Sequence, residues 1–109
     1  MGKLDGMVIG QAKPMMLREA VGEALHEVRR ARGLTLRETA TGALISVGYL
    51  SELERGRKEA SSELLNSVCM ALRIAPSDLL YLAADRLQAG RHDNVVPLRP
   101  QIQLDQRAA

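Results

Sequence analysis

Two short helices joined by a tight connection are predicted between Thr35 and Gly56, and this pattern constrains the fold more than any other feature of the chain. Thr35 and Glu38 have capping-box spacing, so a helix begins there and ends near Thr41. Ser46 follows within a few residues and can cap a second helix, which stops at Gly56. Two helices so close in sequence are typical of a helix-turn-helix.

The second of these helices has a narrow apolar face, formed by Leu50 and Leu53. A helix that packs through so few side chains presents most of its surface outward. The major groove of DNA, about 12 Å wide, admits one such helix. We therefore expect this helix to enter a major groove; the alternative is an ordinary helix of a bundle.

Three further helices are predicted around this pair. The first begins near Leu17 with apolar residues three and four apart, and it stops at Gly33. The fourth is capped by Ser61 or Ser62 and buries a stripe of apolar residues, namely Leu65, Val68, Cys69 and Leu72. The fifth begins at Pro76 and runs to about Ala89. The sequence thus predicts an all-α, five-helix bundle.

The two ends of the chain show no helical period. Residues 1–14 are expected to form a flexible arm, residues 15–90 the folded domain, and residues 91–109 a flexible tail. We find no signal peptide and no apolar run long enough to span a membrane, and a single cysteine excludes an internal disulfide. These features favour a soluble protein of the cytoplasm that makes no membrane contact.

Chemistry-bearing residues are too scattered for an enzyme. His26 stands alone on a helix and His92 lies in the tail, and no metal-ligand spacing, nucleophile elbow or phosphate loop is present. We expect no catalytic residue, no metal and no cofactor. The net charge of +2 favours a polyanionic partner only weakly.

Several motifs resemble the Xre/Cro-type helix-turn-helix family, whose fold is that of the lambda repressor. They are Gly33-Leu-Thr-Leu-Arg-Glu38, Ile45-Ser46 and Tyr49-Leu-Ser-Glu-Leu-Glu-Arg-Gly56, and the match extends over residues 21–80. The longer string Val47 to Lys58, with Ser61-Ser-Glu-Leu-Leu65, is similar to the actinobacterial regulators of Clp protease genes. The resemblance implies a dimeric transcriptional activator of those genes that binds a pseudo-palindromic operator.

Two residues depart from the family pattern. Leu44 stands where the turn commonly has glycine, and Arg73 stands where glycine usually ends the fourth helix. Either both residues adopt a left-handed backbone, which costs a non-glycine residue roughly 1 kcal/mol, or the turn opens into a longer connection.

The resemblance also implies an ion pair between Arg29 on the first helix and Glu54 on the third. Its role would be structural, since it ties these two helices together. The alternative is that Arg29 binds a DNA phosphate or bridges to the backbone.

Base contacts are expected from the outward face of the third helix. Val47 can touch a thymine methyl group, and Gly48 allows close approach to the duplex. Ser51 can donate or accept a hydrogen bond, and Glu52 can accept from a cytosine amine. A merely solvated Glu52 is an equal alternative.

Phosphate contacts are expected on both sides of that helix. Arg57 and Lys58 follow the glycine that ends it, and Arg55 lies late enough to favour phosphate over a base. The remaining candidates flank the same surface: Thr35, Arg37, Ser46 and Tyr49. For Tyr49 we favour packing of the ring over a phosphate contact.

The fifth helix is apolar on more than one side, which predicts a dimer interface. Its candidate interface residues are Leu80, Tyr81, Leu82, Ala84 and Leu87. A two-fold dimer would place a pair of third helices roughly 34 Å apart, about one DNA turn. The alternative is that the tail of the same chain covers this surface.

The expected partners are a double-stranded DNA operator and a second copy of the chain. RNA polymerase is a further candidate, as is Clp protease, because Arg107-Ala108-Ala109 resembles the small apolar C-termini that Clp proteases recognise. An antitoxin-like or adaptor protein, whose main partner is another protein, is the rival interpretation.

Overall fold

The capping residues define where most of the helices begin. The computed structural model describes residues 14–89, which contain five helices and no strand. The helices are α1 (Leu17–Ala31), α2 (Leu36–Ala43), α3 (Val47–Glu54), α4 (Ser62–Leu72) and α5 (Pro76–Ala89). The predicted all-α, five-helix fold is therefore confirmed. Apart from Pro14, the expected arm and tail lie outside the described residues.

Side chains cap three of the helices. Thr35 Oγ1 accepts the backbone N–H of Glu38 at 3.0 Å, and the Glu38 carboxylate accepts that of Thr35 at 2.8 Å. Ser46 and Ser61 each accept from the N–H three residues on, at 3.0 and 3.2 Å. The predicted capping box is present, and Ser61 rather than Ser62 caps α4.

Left-handed residues end α2 and α4. Leu44 has a φ of 60° and Arg73 a φ of 57°, so both adopt the strained backbone and the turn stays tight. The second helix runs to Ala43, two residues past the predicted end, because Ala43 is buried and packing favours the extra residues. The Arg32 guanidinium donates to the carbonyls of Leu72 and Arg73 at 2.9 and 2.7 Å, which satisfies the end of α4.

The core lies where α1 packs on α3 and α5 and where α2 packs on α4. Its largest fully buried side chains include Leu25, Leu50, Leu72 and Leu79. Thr39 is buried among them, and its hydroxyl has no hydrogen-bond partner within residues 14–89. Burial of the Cys69 thiol raises its pKa.

No single helix of residues 14–89 is long and apolar enough to cross a membrane. Only α4 and α5 taken together, with a bend of 100° between them, have the necessary length and composition.

Candidate nucleic-acid interface

The outward face of α3 is exposed because the opposite face of the helix is buried in the core. Leu50 and Leu53 are buried, so Gly48 on the other side is exposed, with no atom within 4 Å of where a Cβ would lie. Ser51 and Glu52 are half-buried on either flank. A close-approach point with polar groups at both sides suits the floor of a DNA groove.

Val47 differs from Gly48, which is the exposed member of the four residues expected to contact bases. It is half-buried and packs against the core, because the first turn of α3 rests on the bundle. Only part of its side chain faces outward. Its capacity for a thymine methyl contact is correspondingly smaller than that of a fully exposed valine.

The start of α2 forms one basic edge of this surface. Arg37 is exposed in the first turn. Thr35 and Ser46 accept backbone N–H groups through their hydroxyl oxygens, so each hydroxyl proton is still available to donate to a phosphate oxygen. The helix N-terminus adds its own partial positive charge.

The loop after α3 forms the opposite edge. Gly56 is buried with a φ of 73°, and a Cβ there would lie 2.8 Å from the Cα of Glu19, so only glycine allows the loop to pack this closely on α1. The loop then exposes Arg57 and Lys58 side by side. Arg55, the C-cap residue that follows α3, is also exposed.

The Tyr49 side chain supports this loop. Its half-buried ring packs against the core, and its hydroxyl donates to the carbonyl oxygen of Glu59 at 3.2 Å. A hydroxyl has one proton, and a phosphate oxygen can only accept. Contact with a phosphate would therefore require Tyr49 to give up the bond to Glu59.

Arg29 and Glu54 form an ion pair between α1 and α3. Arg29 Nε donates to Glu54 Oε2 at 2.7 Å and Nη2 to Oε1 at 3.0 Å, while Nη1 donates to the carbonyl of Leu34 at 2.9 Å. The Arg29 and Glu54 side chains are only 10% and 7% exposed. Such a desolvated, two-pronged pair fixes the direction in which α3 points.

Two residues at this junction were missed by sequence reasoning as functional positions. Gly22 brings α1 so close to α3 that a Cβ would lie 2.7 Å from the carbonyl oxygen of Glu54. His26 Nδ1 lies 2.9 Å from Glu54 Oε1. Gly22 and His26 lie seven and three residues before Arg29, so the three residues occupy neighbouring turns of α1. This spacing was the signal available in the sequence.

The exposed face of α5 differs in part from the predicted dimer interface. Leu80 and Tyr81 are 52% and 66% exposed. Leu82 and Leu87 instead are half-buried and pack against the core, because they lie on the side of the helix that faces the bundle. The outward stripe of α5 has the spacing i, i+3, i+4 and i+7 and consists of Ser77, Leu80, Tyr81 and Ala84. Ser77 was not among the residues expected at the interface.

A family model described as "Helix-turn-helix" matches residues 25–79. The transcriptional regulator ClgR of Mycobacterium tuberculosis (strain ATCC 25618 / H37Rv) is 50% identical over 72 residues, which are 66% of this chain and 64% of that protein. The chain thus spans slightly less than two thirds of the length of this curated relative.

Two solved structures are similar in both fold and sequence. A crystal structure of the clp gene regulator ClgR from C. glutamicum has a TM-score of 0.68 at 56% identity, and the match covers 69% of this chain and 96% of that one. A second crystal structure of ClgR, from Corynebacterium glutamicum, has a TM-score of 0.69 at 46% identity and covers 86% and 92%.

Proposed function

The chain belongs to the helix-turn-helix family of DNA-binding transcriptional regulators, and on this premise we propose that it binds a pseudo-palindromic operator as a homodimer and activates Clp protease genes. Like its relatives, which are named as regulators, it is a regulator and not an enzyme. Because a transcriptional regulator acts on DNA, we propose that the protein acts in the cytoplasm.

The observation that carries this proposal is the exposed face of α3 between two basic edges. Gly48 allows α3 to approach the duplex closely, and Ser51 and Glu52 read base edges, with a smaller contribution from Val47. The phosphates on either side are held by the two edges, whose members are Thr35, Arg37, Ser46, Arg55, Arg57 and Lys58. Phosphate contacts set the register of α3, and base contacts supply the sequence preference.

A homodimer is supported by the outward stripe of α5. Leu80 and Tyr81 form an apolar ridge, and the small residues Ser77 and Ala84 beside it leave room for a partner helix. A two-fold axis through this stripe would let two α3 helices meet two half-sites about 34 Å apart. Leu80→Asp should then give monomers in analytical ultracentrifugation, whereas Met70→Asp, at an exposed apolar position of α4, should not.

The choice of target genes is supported by the relatives. Proteins named as regulators of clp genes are 46–56% identical to this chain. For activation we propose RNA polymerase as a further partner. We propose Clp protease as a further partner that acts on Arg107-Ala108-Ala109, which lie outside the described residues; replacement of Ala108 and Ala109 by aspartate should then lengthen the lifetime of the protein in cells.

The test of operator binding is a salt titration on duplex DNA from the promoter of a clp protease operon, with a scrambled duplex as reference. Arg57→Ala should reduce the salt slope by about 1.8 per dimer, because each protomer loses one cation and each neutralised phosphate contributes about 0.9. Arg73→Gly is the matched control. It removes a cation at the far end of α4 and relieves the backbone strain of a left-handed arginine.

Sequence reading is tested separately with Glu52→Ala. This change should alter the preference among operator variants and leave the salt slope nearly as it is. Equal binding of operator and scrambled duplex by the unmodified protein would contradict the proposal and favour the adaptor interpretation.

A further inference from the structure

A cleft of about 530 Å³, lined mainly by residues with charged side chains, opens beside α3, between α1, the start of α2 and α5. Ser51 and Arg55 line it from α3, and Leu36 lines it at the first position of α2. The cleft therefore adjoins Arg55 on one side and, through Leu36, the start of α2 on another. A DNA strand held by both of these groups would pass over the cleft.

His26 lies in this cleft with one nitrogen engaged. Its side chain is 49% exposed, and Nδ1 lies 2.9 Å from the nearly buried carboxylate of Glu54. Within residues 14–89, Nε2 makes no hydrogen bond. A carboxylate at Nδ1 favours the tautomer that carries its proton there, so that neutral His26 presents a lone pair at Nε2. Protonated His26 presents an N–H donor instead.

The charges that line the cleft balance without His26. From α1 come the carboxylates of Glu23 and Glu27, and from α3 that of Glu54. Arg86 of α5 bonds to Glu23 at 3.1 Å and to Glu27. The other two cations are Arg29 of α1 and Arg55 of α3, while α2 contributes only the uncharged Leu36. Three carboxylates thus face three guanidinium groups, and a proton on His26 makes the lining net positive.

We propose that this cleft binds a backbone phosphate of the duplex through protonated His26, so that DNA binding is coupled to the uptake of a proton. The inference rests on the proposed operator binding and adds a phosphate contact to it. The Nε2–H group donates to the phosphate oxygen, and Glu54, fixed by Arg29, holds the imidazolium from behind. Since the contact is to a phosphate, it acts on any duplex sequence.

The experiment measures the Kd of the full chain for the clp promoter duplex and for a scrambled duplex, from about pH 8 to about pH 6, where histidine ordinarily exchanges its proton. Because the protonated form binds more tightly, the Kd of the unmodified protein should fall as the pH is lowered. One exposed ion pair should tighten binding about three-fold for each site, and therefore about ten-fold for a dimer. The salt slope should be steeper at the lower pH by about 0.9 per site.

Three variants separate this contact from a structural role of His26. His26→Gln should lose both pH effects, and His26→Arg, a permanent cation, should bind at about pH 8 as tightly as the unmodified protein does at about pH 6. His92→Gln changes the only other histidine of the chain and should behave like the unmodified protein. Thermal unfolding of each variant at both pH values reports any change in the fold.

A pH-independent Kd and salt slope for the unmodified protein would overturn the inference. So would a His26→Gln protein that keeps the pH effect. If His26→Gln weakens binding equally at both pH values, neutral Nε2–H makes the contact, with Nδ1 accepting from Arg29 Nη2 at 3.3 Å, and proton uptake is refuted. Specific operator binding without a pH effect leaves the proposed function intact, whereas binding to neither duplex overturns both.

Discussion

Substitution of Gly22 by alanine tests the contact that sets the position of α3. Gly22 is buried in α1, and an added Cβ would lie 2.7 Å from the carbonyl oxygen and 3.0 Å from the carbonyl carbon of Glu54. These are backbone atoms at the last residue of α3, so they cannot rotate out of the way. The methyl group can be accommodated only if α1 and α3 move apart.

The magnitude follows from two opposing effects on the free energy of unfolding. Alanine is favoured over glycine inside a helix by up to about 1 kcal/mol. Overpacking a buried site costs about 1–3 kcal/mol, and the rigid neighbour places Gly22→Ala near the upper end. The expected net loss of stability is about 2 kcal/mol.

Two other glycines provide matched controls within helices. Gly48 has nothing within 4 Å of an added Cβ, so Gly48→Ala should gain up to about 1 kcal/mol. At Gly42 the added Cβ would lie 3.1 Å from the Cβ of Ala71, a milder overlap that a shift of a few tenths of an ångström relieves, and the two effects should nearly cancel. The three variants should therefore span about 3 kcal/mol in a fixed order.

Urea unfolding followed by circular dichroism measures the stabilities, and fluorescence anisotropy measures operator binding under conditions where each variant is folded. On the proposed mode of DNA binding, Gly22→Ala should bind more weakly because α3 is displaced relative to the start of α2. Gly48→Ala should be more stable and yet bind more weakly, because its methyl group meets the duplex. A Gly22→Ala protein as stable as Gly48→Ala would refute the packing argument.

Four further predictions concern single side chains. Thr39→Val should raise the free energy of unfolding by about 1 kcal/mol, since it removes a buried hydroxyl without a partner, and urea titration checks it. Leu44→Gly should raise it by about 1 kcal/mol by relieving the left-handed backbone; the leucine side chain is 91% exposed, so little packing is lost, and a lower stability would contradict this reasoning. Glu54→Ala should lower it by about 3–5 kcal/mol, because Arg29 is left buried without its partner, and thermal unfolding should show the loss. Cys69 should react with a thiol reagent at least about 10³-fold more slowly in the folded than in the unfolded protein, because the thiol is accessible only after opening. Since the pKa of Cys69 is raised on folding, its contribution to stability is present below the ordinary thiol pKa and is lost as pH rises through the raised value.

Local chemistry accounts for the features that could be predicted from the sequence. The capping box of Thr35 and Glu38 and the cap at Ser46 involve residues three apart, so no distant contact is needed to form them. The apolar period of each helix likewise appears in consecutive turns. For the same reason the outward face of α3 could be identified before its surroundings were known.

Faces and end points that depend on a neighbouring helix could not be predicted in this way. Ala43 extends α2 because it is buried in the core, and Leu82 and Leu87 turn inward because the bundle lies on that side of α5. The α5 sequence is apolar around much of its circumference, so its period does not distinguish the buried face from the exposed stripe.

The geometry around Glu54 arises only in the tertiary structure. His26 and Arg29 lie 28 and 25 residues from Glu54 in sequence, yet both contact its carboxylate. Gly22 has no local reason to be glycine; its role comes from the backbone of α3 pressing against it. By itself the sequence determined the helices, their caps and the outward face of α3, since these depend on nearby residues. Only the packing of α1 against α3 and α5 decided how α3 is held, which groups share the cleft, and which stripe of α5 is left for a partner.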